Sequence, residues 1–187
     1  SEIIILDGTQ DGLQQMAREL AGRTGLDSVQ LISHGAAGAL LLGNTLLTSD
    51  NLASYQVQLR QIGASLAGGG DLLLYGCDVA HGVGGQHFID ALALATGADV
   101  AASTDLSGPA GLGGNWMLEA ATGTVETAAL SVATDGALGL YTGTSGNDTL
   151  YGVDAGDTIL GGDGDDYIAG KYYPSTDIGD WLDGGNG

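Results

Sequence analysis

Apolar residues follow two rhythms along the first 105 positions of this 187-residue chain. Short unbroken runs predict buried strands, and recurrence every three or four residues predicts helices with one buried face. EIIIL (2–6), closed by Asp7-Gly8, is the first predicted strand. Leu13, Met16, Ala17 and Leu20 then mark a helix that Gly22 and Gly25 end. VQLIS (29–33) is a second strand, and ALLLG with TLL (39–47) around Gly43-Asn44 forms a small hairpin. Leu52, Tyr55, Leu59, Ile62 and Leu66 stripe a second helix, with Thr48 and Ser49 as its N-caps and Gly68-Gly69-Gly70 as its stop. DLLLY (71–75) is a third strand. A helix over 84–96 turns Phe88, Leu92 and Ala95 inward, and ADVAA (98–102) is a fourth strand.

Strands and helices alternating at this spacing predict an α/β fold, with a mostly parallel sheet and helices on both faces. Residues 106–140 are richer in Gly and Ala, and there NWMLE and GTVETAAL read as short strands at the sheet edge. Tyr141 marks a change of pattern, dividing the chain into domains at 1–140 and 141–187.

The second segment repeats with a period of nine. GTSGNDTLY (143–151), GVDAGDTIL (152–160) and GGDGDDYIA (161–169) align without gaps, with Gly first, Asp sixth and an apolar residue eighth. GKYYPSTDI (170–178) breaks the phase, and GDWLDGGNG resumes it with Asp180 and Leu182 in the same relative places. Glycines allow a tight turn whose carbonyls point at an ion, Asp adds a hard carboxylate, and the eighth residue fills a thin core. The pattern resembles the calcium-binding nonapeptide repeat of RTX proteins. That resemblance implies a parallel β-roll in which Asp148, Asp157, Asp166 and Asp180 bind Ca2+ with the backbone of Gly143, Gly146, Gly152, Gly161, Gly162 and Gly164. It also implies that Asp148 and Asp166, two repeats apart, meet at one ion, with Asp157 opposite the turn near Asp180. An acidic Gly-rich linker would share the composition but not the phase.

Charge narrows the partners. The formal net charge is −19, from 23 acids against four Lys and Arg, and residues 141–187 hold nine Asp and one Lys. Such a surface repels nucleic acid and anionic membranes and suits multivalent cations. No apolar run approaches membrane-spanning length. A start at Ser and an end inside a repeat predict a piece of a longer polypeptide.

The candidate chemistry lies at two strand ends. SVQLISHG puts His34 just beyond one apolar strand, and DLLLYGCD puts Cys77, the only cysteine, just beyond another. In open parallel sheets the functional crevice lies outside the carboxyl ends of the strands. A thiol nucleophile needs a base to supply its thiolate, and His34 is the candidate base. The backbone N–H groups of Gly35 and Cys77 are candidate oxyanion-hole donors. The structural alternative is a small buried thiol beside a His-Gly turn. His81 and His87 are expected at the surface, and no zinc-ligand spacing joins the histidines to the cysteine.

At these residues the chain resembles the caspase-like cysteine peptidases (clan CD), the group of gingipains and CHAT domains, which place His-Gly after one strand and Cys after the next. The resemblance spans about residues 2–120. LISHGAAGALLLG, GGDLLLYGCDVA and TGADVAASTDLSG resemble more closely a bacterial domain family of unassigned function, found near the start of long calcium-repeat and adhesin-like surface proteins. These resemblances imply a calcium-linked cysteine endopeptidase, secreted or at the cell surface after type I-like export, acting on a protein or peptide or on its own chain. Ser103, Thr104 and Asp105 follow the fourth strand, where the group builds a substrate-pocket wall, and Lys171 is the candidate self-cleavage point. Tyr75 departs from the group, many members of which carry an acid or Gln two residues before the nucleophile. That departure, with Asp78 beside the thiol, favours the alternative: a catalytically silent interaction or cap module of a calcium-binding adhesin.

Overall fold

Strand pairing in the computed structural model follows the alternation of the sequence. The structure describes residues 2–108, 110, 113–128, 140–142, 145–147, 149–151, 158–160, 162–165, 167–169 and 181–183. Helix α1 (Gly12–Glu19) forms where the first apolar stripe lies, burying Leu13, Met16 and Ala17. Asp11 caps it by accepting the N–H of Gln14 at 2.9 Å. Strand β1 (Leu26–Ile32) follows. A small antiparallel sheet is then built from β2 (Gly35–Ala36), β3 (Ala39–Leu42) and β4 (Thr45–Thr48). Its β3–β4 turn holds Gly43 at φ +60°, as the hairpin motif predicts.

After a 3₁₀ turn (Leu52–Tyr55), helix α2 (Gln56–Ser65) leads into β5 (Leu66–Tyr75), helix α3 (Gly82–Thr96) and β6 (Asp99–Ala102). The main sheet has the order β1-β5-β6-β7, with β7 (Ala120–Ala121) antiparallel at one edge and the other pairs parallel. The fold is therefore mixed α/β with a mostly parallel sheet.

Helices do not cover both faces of this sheet among the described residues. Leu13 and Met16 of α1, Leu59 and Ile62 of α2, and Phe88 and Leu92 of α3 join one core with Leu72, Leu74, Val100 and Ala102. Two successive right-handed crossovers that step in the same direction, β1 to β5 to β6, put their helices on the same side. The other face exposes Leu73, Tyr75 and Ala101 to Trp116, Leu118 and Val125, which come from non-helical chain. Trp116 packs there with its ring centroid 6.2 Å from that of Tyr75.

Four smaller expectations are corrected. Residues 2–6 are not a buried strand: Ile3 and Ile5 are 89% and 90% exposed. Side chains tie this segment along α1 instead, through Glu2 to Arg23 at 2.6 Å and through Gln15, which bonds both the N–H and the carbonyl of Asp7. Asn51, not Thr48 or Ser49, organises the second helical start, accepting from the Thr48 N–H and donating to the Leu46 carbonyl. Leu66 opens β5 rather than closing α2, its backbone having turned extended at ψ 154°. NWMLE is not a strand, because Asn115 turns back on itself and its side chain accepts the Met117 N–H at 2.6 Å. Within GTVETAAL, residues 123–128 are also irregular, and the remaining two lie outside the described residues.

Beyond residue 139 the described strands are short, and four of them centre on the apolar eighth positions Leu150, Ile159, Ile168 and Leu182. Strand β9 (Thr149–Tyr151) pairs in parallel with β11 (Tyr167–Ala169). Strand β10 (Thr158–Leu160) lies between β8 (Leu140–Thr142) and β12 (Trp181–Asp183), again in parallel. Strands from alternate nonapeptides are thus partners, while consecutive ones fall in different sheets.

Candidate active site

Parallel pairing of β1 and β5 sets the geometry. Their register runs from Ser28↔Asp71 to Ile32↔Tyr75, and the Ser33 N–H continues the ladder to the Tyr75 carbonyl at 3.1 Å. His34 and Cys77 each lie two residues past the last register pair, on neighbouring strands about 4.8 Å apart. The expected juxtaposition of these two strand ends is therefore present.

Gly35 makes it possible for the two loops to touch. A Cβ at this position would stand 2.5 Å from Val79 Cγ2 and 3.0 Å from the Cys77 carbonyl oxygen. The β2–β3–β4 hairpin braces the same corner: the Leu41 N–H donates to the His34 carbonyl, and the Gly38 N–H to the Val79 carbonyl, each at 3.0 Å. His34 is half-buried.

Cys77 is 2% exposed, and its Sγ approaches the Ser107 carbonyl at 3.5 Å. The loop after β5 is stitched to the loop after β6 along its length. Asp78 N–H donates to the Asp105 carbonyl and Ala80 N–H to the Ser103 carbonyl, both at 2.9 Å. Asp78 takes φ +58°, a left-handed conformation that Asp tolerates better than most residues. Burial holds the Asp78 carboxyl above its usual pKa; His81 opposes this and Asp105 adds to it.

The candidate pocket wall comes to the same place, because β6 pairs with β5. The Ser103 hydroxyl is buried and donates to Asp105, and Thr104 N–H donates to Glu119 at 2.8 Å. The Asp105 carboxylate accepts the Asn115 amide at 3.1 and 3.0 Å. His81 is exposed, as expected, but joins this network with Nδ1 3.0 Å from the Thr104 carbonyl.

Ser107, Asn115 and Glu119 had no motif to mark them. Each acts through a backbone or loop contact 10 to 30 residues away in sequence. Of the tail residues, Gly146, Gly162 and Gly164 are described. Gly143, Asp148, Gly152, Asp157, Gly161, Asp166, Lys171 and Asp180 lie outside the described residues.

A groove of about 220 Å³ lies on the helix-free face, walled by Leu73, Ala101, Leu118 and Val125. No described helix is long and apolar enough to cross a membrane.

A parallel-sheet α/β domain with His-Gly and Cys at the carboxyl ends of adjacent strands is the class these observations define. The chain belongs to the family described as Domain of unknown function (DUF4347), whose model matches residues 1–144. No curated protein and no solved structure matches it.

Proposed function

We propose that the domain is a caspase-like cysteine endopeptidase that processes its own polypeptide, with Cys77 as nucleophile and His34 as general base. The observation that carries this reading is the in-register end of β1 and β5, which delivers both residues to one corner of the sheet. In the reaction His34 takes the Cys77 thiol proton, and the sulfur adds to a peptide carbonyl carbon. The proton then passes to the leaving amine as the C–N bond breaks, and water hydrolyses the thioester. Oxyanion stabilisation falls to the backbone N–H groups of Gly35 and Cys77. In this reading the Ser107 carbonyl guards the thiol at rest, and the 103–107 loop moves aside for substrate.

The tail is read as RTX-type calcium repeats forming a short β-roll. Its support is the nine-residue phase and the pairing of strands from alternate repeats. Calcium would then fold the tail, because ligand energy is folding energy where binding needs the folded state. Export to the cell exterior, within a longer surface protein, belongs to the same proposal.

One observation favours a second reading, that of a silent interaction module: Cys77 is buried against Ser107. A single experiment separates the two. The full chain is incubated with calcium or with chelator, beside Cys77→Ala and His34→Ala, and products are mapped by mass spectrometry. A calcium-dependent cut lost in both variants supports the peptidase. An intact wild-type chain whose Cys77 also resists iodoacetamide in the folded state assigns the silent module.

A further inference from the structure

At the opposite, amino-terminal end of the parallel sheet, three carboxylates converge. Asp71 and Asp99 are register partners on β5 and β6. Strand alternation points both toward the helix-free face, the side of Leu73 and Ala101. Glu126 reaches them from the segment that follows β7. One oxygen from each of the three lies within 4.8 Å of the other two.

The path of that segment is specific. After β7 the Thr122 N–H donates to the Val100 carbonyl at 2.9 Å, and the Val100 N–H returns to Thr122 Oγ1 at 3.0 Å. Gly123 then passes so close to Asp99 that a Cβ there would overlap its Oδ1. Val125 crosses the sheet over Leu73, and the Thr127 N–H ends on Asp71 Oδ2 at 2.9 Å. The chain thus folds over Asp71, while Asp99 is half-buried and Glu126 exposed.

Asp71 makes the arrangement more than a surface cluster. It is 1% exposed, and its Oδ1 has no hydrogen-bond partner. No ion pair among the described residues reaches any of the three. A buried carboxylate with one oxygen undonated, in a cluster with two more carboxylates, carries a desolvation penalty that a cation would relieve.

We propose that Asp71, Asp99 and Glu126 bind a divalent cation, calcium, that fastens residues 122–127 across the sheet. Hard carboxylates with no nitrogen or sulfur donor select oxygen-seeking ions. Calcium accepts flexible, irregular oxygen shells at about 2.3–2.6 Å, whereas magnesium demands near-ideal octahedral geometry at about 2.1 Å, so three carboxylates from separate segments suit calcium. Exposed Glu126 leaves one side for water to complete the shell. The site is independent of the peptidase reading and of the tail.

The test counts ions in the full-length chain by calorimetric calcium titration. The wild type is compared with Glu126→Gln, with Asp99→Asn, and with a tail variant in which Asp148, Asp157, Asp166 and Asp180 are all Asn. The tail variant should retain one calcium, and adding Glu126→Gln to it should weaken that ion by roughly tenfold or more. In the wild type, calcium should slow amide exchange over residues 122–127, and Asp99→Asn should abolish the slowing. A tail variant that binds no calcium at millimolar concentration overturns the proposal. So does exchange over 122–127 that is indifferent to calcium in the wild type. Tighter binding of magnesium than of calcium overturns the assignment of the ion.

Discussion

Gly35→Ala tests the packing that brings the two strand ends together. The added methyl would meet Val79 Cγ2 at 2.5 Å and the Cys77 carbonyl at 3.0 Å. Val79 is wholly buried, and its carbonyl already takes the Gly38 N–H. Neither neighbour can retreat freely, so the methyl must push the 34–36 and 76–79 segments apart. Overpacking of this kind costs about 1–3 kcal/mol. With about 2–4 °C per kcal/mol for a chain of this size, Tm should fall by roughly 2–12 °C. Separation of the two loops should also speed alkylation of Cys77 in the folded state. The control is Gly84→Ala in the first turn of α3, where nothing lies within 4 Å of the new methyl. There helix propensity favours Ala by up to about 1 kcal/mol, so Tm should hold or rise. The assay is calorimetric melting together with iodoacetamide labelling of both variants. If Gly35→Ala melts and labels like the wild type, the close approach of the His34 and Cys77 loops is refuted.

Two further outcomes follow from the same corner and the core beneath it. Asp78 has a folded-state pKa raised by burial, so its effect on stability is favourable below the unfolded value of about 3.9 and is lost as pH rises through the raised folded value. Asp78→Asn, which keeps a side chain suited to positive φ, should therefore melt higher than wild type at pH 7, with the difference closing near pH 3; an equal gap at both pH values contradicts it. The Tyr55 hydroxyl donates to Asp11 Oδ2 at 2.9 Å while Asp11 caps α1, so Tyr55→Phe should cost about 1.5–3 kcal/mol by urea denaturation, and Asp11→Ala combined with it should cost less than the sum of the two.

Local patterning made most of the elements legible. Leu13, Met16, Ala17 and Leu20 are buried where their spacing puts them, and DLLLY and ADVAA pair as adjacent parallel strands. These succeed because helix and strand periods are properties of a few consecutive residues. EIIIL fails for the converse reason: an apolar run becomes a strand only if an open ladder accepts it, and its flanking Glu2 and Asp7 are bound instead to Arg23, just past α1, and to Gln15 within it. The placement of helices also escaped the pattern, since α1, α2 and α3 look alike in sequence whichever face they cover.

The candidate site divides along the same line. His34 and Cys77 could be singled out from the chain alone, because a reactive residue type just past an apolar run is a local signal. Sheet order is not local; it decided that the two strand ends are neighbours, that Ser107 lies on the thiol, and that His81 joins the Ser103–Asp105 loop. Asp71, Asp99 and Glu126 mark the limit most clearly. They are 28 and 27 residues apart along the chain and belong to no motif, yet strand register and one crossing segment gather their oxygens within 4.8 Å. Residue type and period are written along the chain, whereas which distant carboxylates share a volume depends on how β5, β6 and residues 122–127 close on one another.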